Sequence, residues 1–214
     1  MLATHNLTTP PPPHPPPNPP TPPPPPGTLT AIVGPNGAGK TTYFNLISGQ
    51  LKASAGSVQL GGQDLTALSP SARTRAGLGR AFQLTNLFPN LSVLENVRLA
   101  VQATQGGPHR RGLNLWSIWS DHRHLTERAE SILRSVALFE RRDTPVASLP
   151  HGDQRKLEVA LLMALEPQVY MFDEPTAGMS HDEAPLILNL IRELKKDKTK
   201  IILLVEHKMD VVRE

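Results

Sequence analysis

The 214-residue chain has no cysteine, which excludes a disulfide framework, a thiolate zinc site and cysteine nucleophilic chemistry. No apolar run approaches the roughly 20 residues needed to span a bilayer, and the N-terminus shows no basic-then-apolar signal peptide. Charge of either sign is modest, 22 Lys+Arg against 19 Asp+Glu for a net +3. The small positive excess is spread along the body of the chain from about Gly27 onward, which disfavours a nucleic-acid partner on charge alone. These absences predict a soluble, intracellular protein. Residues 1–30 contain no Asp, Glu, Lys or Arg at all.

What the chain has in excess is proline. Of its 23 prolines, fourteen lie between Pro10 and Pro26, interrupted only by His14, Asn18 and Thr21. Proline donates no hydrogen bond and holds φ near −65°, so such a tract forms neither an interior strand nor a helix. Residues 1–26 are therefore expected to be a disordered or polyproline II arm, about 50 Å long over the tract itself at the rise of that helix. An SH3- or WW-type groove is one conceivable reader of it.

From Gly27 onward the signals alternate. Leu29–Val33, Ser57–Leu60, Gly79–Gln83, Val169–Phe172 and Ile201–Val205 read as strands. Helices are expected over Gly39–Gly49 and Pro70–Arg75, and from Ser92 and Glu95, a capping box, to about Val101. Further helical spacing joins Leu125, Ala129, Ile132, Leu133 and Val136, then Leu157, Ala160, Leu161 and Ala164 within 153–166. Leu186, Ile187, Leu190, Ile191 and Leu194 follow, behind a second capping box of Ser180 and Glu183. Strands separated by helices imply a parallel α/β sheet covered on both faces. The mostly helical stretch of about 85–155 reads as an inserted subdomain, leaving 27–84 and 156–214 as the core.

Two motifs carry chemistry. Gly34, Pro35, Asn36, Gly37, Ala38, Gly39, Lys40, Thr41 and Thr42 satisfy the phosphate-loop pattern G-x-x-x-x-G-K-[ST], placed between a strand and a helix. Its glycines let backbone N–H groups curl around a phosphate at a helix N-terminus. Lys40 is expected to neutralise the β/γ-phosphates and Thr41 to ligate Mg²⁺. The second motif ends an apolar strand in Asp173 and Glu174, where α/β sheets place ligands. Asp173 suits Mg²⁺, directly or through water, and Glu174 suits proton abstraction from a water attacking the γ-phosphate. An N-K-x-D guanine-reading motif is missing, which disfavours a GTPase.

With these motifs the chain resembles the ATP-binding subunits of ABC transporters, over about residues 27–214. Gln83 matches the Q-loop glutamine, and His207 the switch histidine. Thr176-Ala177-Gly178-Met179-Ser180 matches the D-loop, while Leu149, Pro150, His151, Gly152, Asp153 and Gln154 stand where the signature loop belongs. Phe82-Gln83, Leu87-Phe88-Pro89, Leu91–Val97 and Glu174–Met179 are similar to the branched-chain amino-acid importer subfamily, whose relatives also handle other amino acids, urea and short amides. An insert, Thr104 to His124, fits that subfamily.

The resemblance implies an α/β P-loop NTPase (RecA-like) core with a parallel sheet and an inserted helical ABC-signature subdomain. It implies ATP and Mg²⁺ as cofactors, with Glu174, His207 and Gln83 catalytic and Thr41, Gln83 and Asp173 around the metal. It also implies that residues 150–154 hold the γ-phosphate of ATP bound to a second ATPase subunit, identical or not, packed head to tail. Two membrane permeases and, indirectly, a periplasmic solute-binding protein complete the assembly on the cytoplasmic face of the inner membrane. Against that pattern, Pro150 replaces the signature serine. The proline tract falls where the family has its first two strands and an adenine-stacking aromatic, and the family continues with further elements beyond Glu214. The alternatives are a non-transport ABC ATPase, or an inactive scaffold presenting the proline arm.

Overall fold

Strand β2, Leu29–Ile32, begins a four-stranded, wholly parallel sheet in the order β2-β7-β6-β5. The other members are β5 (Leu78–Ala81), β6 (Val169–Asp173) and β7 (Ile201–Val205). The computed structural model describes residues 1–9, 24–35, 37–81, 87–105, 123–179 and 183–206. Asn36, Phe82, Gln83, Ser180 and His207, the tract from Pro10 to Thr21, and most of the insert between Thr104 and His124 lie outside the described residues.

The central strands β6 and β7 are apolar on both faces, as a sheet covered on both sides requires. Val169, Met171, Ile201, Leu203 and Val205 share one core with helix α1, Lys40–Ser48, which contributes Tyr43, Phe44, Leu46 and Ile47. The alternate residues Tyr170, Phe172, Ile202 and Leu204, on the opposite face, are equally buried. Helix α1 ends at Gly49, whose φ of 81° puts it in the left-handed region. A side chain there would run into Arg73, whose Nε lies 2.8 Å from the ideal Cβ position. Arg73 is 3% exposed and donates to the carbonyls of Leu46 (2.6 Å) and Ile47 (2.7 Å). A cation thus satisfies the open C-terminal end of the helix that follows the phosphate loop. It is borne by α2, Pro70–Arg75, capped by Ser69 with proline in its first turn.

A second, antiparallel sheet contributes Leu2, Leu7, Val58 and Leu60 to the same core, in the order β1-β3-β4, with β1 Leu2–Thr8, β3 Ala55–Leu60 and β4 Gln63–Asp64. Strand β1 lies within the residues expected to be arm, so that expectation is corrected: the chain enters as a strand and the prolines follow it. Its pairs with β3 run from Leu2↔Leu60 to His5↔Ser57 and resume at Thr8↔Ala55 after a bulge. The bulge explains why the strand escaped the sequence pattern. Leu2 and Leu7 stand an odd number of residues apart, on opposite faces of a regular strand, yet both are buried because the irregularity, with Asn6 at φ 43°, re-aims the chain. Gly56 (φ 90°) is the partner this demands, since a Cβ there would lie 2.3 Å from the His5 carbonyl oxygen.

The chain divides into two compact units: Met1–Gln83 with Pro167–Ala177 and Ile191–Glu214, and Leu84–Glu166 with Gly178–Leu190. The second is built on α3 (Val93–Gln105), α4 (Arg123–Ser135) and α5 (His151–Ala164). Helix α3 opens on the expected capping box: Glu95 N–H donates to Ser92 Oγ (3.2 Å) and Ser92 N–H to Glu95 Oε2 (3.1 Å). Leu125, Ala129, Ile132, Leu133 and Val136 are all buried. The expected boundary at about 155 falls inside α5, which runs unbroken to Ala164, and the second unit extends to Glu166. Helix α6, Ala184–Lys196, begins in this unit and ends in the first.

Candidate active site

The strand, loop and helix β2–α1 build the phosphate loop. Gly37 and Gly39 hold φ of 81° and 83°, left-handed values that wind the loop back over the start of α1. The N-cap Gly39 gives that helix no side-chain cap, an arrangement that suits an anion at its first amides. Lys40 is 7% exposed, and its Nζ donates to the carbonyls of Gly34 (2.5 Å) and Pro35 (2.9 Å). A buried ammonium satisfied by neutral carbonyls has more to gain from a phosphate.

A cavity of about 400 Å³ opens here, lined by Gly37, Ala38, Gly39, Lys40, Thr41, Thr42 and Glu174. Glu174 reaches it from the C-terminal end of β6, one residue past the strand. Its backbone N–H donates to the Val205 carbonyl at 3.0 Å and its φ is 53°. A non-glycine residue held there costs about 1–3 kcal/mol, a strain that collects at functional sites. Asp173, the strand's last residue, is paired across the sheet with Val205. Its Oδ2 accepts from Arg80 at 2.7 Å, with the two side chains 10% and 6% exposed. Burial draws the Arg80 guanidinium below its ordinary pKa, and the hydrogen bond and charge of Asp173 oppose that shift. Nearby in this unit, the buried Thr176 hydroxyl donates to Glu206 Oε1 at 3.1 Å.

Among the described residues, no group of three or more His, Cys, Asp or Glu could hold a metal ion on protein ligands alone. Mg²⁺ carried in on a nucleotide needs only one or two protein oxygens besides the phosphates, and the side chains of Thr41 and Asp173 are oxygen donors that would suit it.

The signature-loop residues belong to the second unit. Pro150 is the N-cap of α5, with extended ψ of 155° and no capping side chain, and Gln154 Nε2 donates back to the Leu149 carbonyl at 3.0 Å. Asp153 is 8% exposed, bonded to Lys156 (2.9 Å) and Arg141 (3.0 Å). Glu183 leans on Gly152, with Oε1 2.5 Å from where a Cβ would be, and bonds Lys156 at 3.1 Å. Burial opposes the charge on Lys156, but these two carboxylates outweigh it and hold the ammonium above its ordinary pKa. His151 Nε2 lies 3.3 Å from the Cβ position of Gly178 in the D-loop segment.

The structure thus gathers Gly37–Thr42 and Glu174 around one cavity, with Gly34, Pro35 and Asp173 beside it. Asn36, Gln83 and His207 lie outside the described residues. Sequence reasoning missed Arg80, whose signal was a lone cation in a short strand of small and apolar residues, and Arg73.

A parallel sheet whose first strand runs into a glycine-rich loop and then a helix, with paired acids closing β6, the strand on the far side of β7, defines a P-loop NTPase. A family model described as ABC transporter matches residues 24–177. The high-affinity branched-chain amino acid transport ATP-binding protein LivG of Escherichia coli (strain K12) is 36% identical over 185 residues, 86% of this chain and 72% of that protein. A nucleotide-free ATP-binding cassette from an ABC transporter superposes with a TM-score of 0.75 at 26% identity, covering 100% of this chain and 83% of the other. The ADP conformation of another such cassette gives 0.68 at 30%, covering 87% and 73%. The chain belongs to the ABC transporter family.

Proposed function

We propose that the chain is the ATP-binding and ATP-hydrolysing subunit of an importer for branched-chain amino acids or related small polar solutes. The observation that carries the ATPase part is the cavity shared by Gly37–Thr42 and Glu174. The solute class rests on the likeness to LivG.

The amides of Gly37–Thr42 bind the β- and γ-phosphates. Lys40 leaves the Gly34 and Pro35 carbonyls for phosphate oxygens, exchanging neutral partners for charged ones. Thr41 and Asp173 would hold Mg²⁺, with Gln83 added to that set by resemblance, and the ion would supply neutralising charge for the phosphates. Glu174 orients a water and takes its proton as the water oxygen attacks the γ-phosphorus and the bond to the β–γ bridging oxygen breaks, releasing ADP; the phosphate-contacting role of His207 is carried over by resemblance alone. The signature residues 150–154 close on the nucleotide of a second ATPase subunit, with α5 presenting its uncapped N-terminus. ATP favours the closed pair and hydrolysis reopens it. That motion passes to two membrane permeases at the cytoplasmic face, which receive solute from a periplasmic binding protein.

The Glu174→Gln variant tests this. It removes the base while keeping size and hydrogen bonding, so ATP turnover of the transporter should fall about 100-fold or more with nucleotide affinity retained. Unchanged turnover would contradict the assignment.

A further inference from the structure

Arg80 is placed by its strand against two elements of the proposed site. It stands opposite Met171 of β6 in the parallel register, on the face that meets α1. Its NH2 donates to Asp173 Oδ2 at 2.7 Å. Its NH1 donates to Asn45 Oδ1 (2.8 Å) and Ser48 Oγ (3.0 Å) of α1, and to Gln50 Oε1 (3.3 Å) just beyond. The guanidinium carbon lies 5.3 Å from the centre of the Phe44 ring, and the side chain is 6% exposed.

We infer that Arg80 is a positioning residue for the metal-nucleotide site: it locks the Asp173 carboxylate by one oxygen and ties it to the helix that carries Thr41. The inference rests on the nucleotide reading above and names a residue which that reading does not use. Three facts support it. A cation this buried is costly unless it is paired, and Asp173 is the carboxylate recorded against it. Because the pair engages Oδ2 alone, the second oxygen remains available for a ligand. And α1 is a single nine-residue helix, so a bond at Asn45 and Ser48 fixes Thr41 one turn earlier against the end of β6. The two residues assigned to the metal sit on separate elements, β6 and α1, and Arg80 hydrogen-bonds a residue of each. Partners that orient a metal ligand in this way change metal affinity by about 10–100-fold when removed. A cation beside the carboxylate also repels a metal ion, so the sign of the effect decides the matter.

The test is binding of a fluorescent ATP analogue, with EDTA and with saturating Mg²⁺, to the unsubstituted full chain, Arg80→Met and Arg80→Lys. Methionine keeps the stem's packing without the charge. The expected result is the same affinity for all three in EDTA, and a Mg²⁺-dependent gain that Arg80→Met loses by about 10–100-fold. Arg80→Lys should recover part of that gain, since an ammonium can meet Asp173 but not all four acceptors. A gain undiminished or enlarged in Arg80→Met would overturn the inference. So would an equal loss of affinity with and without Mg²⁺, which marks a purely structural clasp, or the absence of any metal-dependent gain in the unsubstituted chain. Failure of the unsubstituted chain to bind the analogue at all would overturn the nucleotide reading itself, and this inference with it.

Discussion

Buried charges are where single residues of this protein reveal their tasks. Lys40, Arg73 and Arg80 are three cations placed in or against the α1 core, each answering a different problem. Arg73 closes the carbonyl end of α1, Arg80 joins α1 to Asp173, and Lys40 waits on two carbonyls that a phosphate can replace. Glu158 of α5 is the contrasting case. It is 8% exposed, and burial raises its pKa despite the lowering effect of Arg155, 3.1 Å away. A carboxyl whose folded pKa lies above its unfolded value binds protons more readily when folded. Stability therefore falls as pH rises through that window. Glu158→Gln, neutral at every pH, should then melt at a higher temperature than the unsubstituted protein at pH 7. The difference should vanish below about pH 4, where glutamate itself is protonated. A variant less stable at pH 7 would show that the Arg155 pair outweighs desolvation.

At the level of elements, strand β1 was the least visible in the sequence and is the easiest to test. Gly56 must hold φ 90° under the backbone of the β1 bulge, so Gly56→Ala brings both a strained dihedral and a collision with the His5 carbonyl. A cost of about 1–3 kcal/mol is expected, read as a lower denaturant midpoint, with amide exchange accelerating first in Leu2–Thr8. Equal protection in variant and parent would remove the bulge from the account. Why β1 was hidden follows from its physics. It carries no charge, abuts the prolines, and its buried Leu2 and Leu7 break the period-2 pattern that betrays a strand. By contrast β6 and β7 are continuous apolar runs, α3 announces itself by Ser92 and Glu95, and α4 by its leucine and isoleucine spacing. Those elements needed no tertiary information. The phosphate loop and the Asp173–Glu174 pair were legible for a related reason, since their chemistry demands fixed residue types at fixed spacing. Arg80 was not: its partners Asn45, Ser48 and Asp173 are distant in sequence, and it takes the parallel pairing of β5 with β6 together with the packing of α1 to bring them to it.

The whole molecule joins a core unit, in which helix α1 shares one apolar cluster with a parallel and an antiparallel sheet, to a helical unit bearing the signature segment. The core supplies the cavity and the acids, and the helical unit supplies a second uncapped helix start at Pro150. No helix among the described residues is long and apolar enough to cross a membrane. The central claim is that a triphosphate lies on the amides of the loop before α1 with its terminal group toward the end of β6. The most direct measurement is a crystal structure of the Glu174→Gln protein grown with ATP and Mg²⁺. The account expects phosphate density against Gly37–Thr42, Lys40 turned onto it, and the γ-phosphate facing residue 174. Nucleotide bound elsewhere, or a loop left empty at saturating ATP, would contradict it.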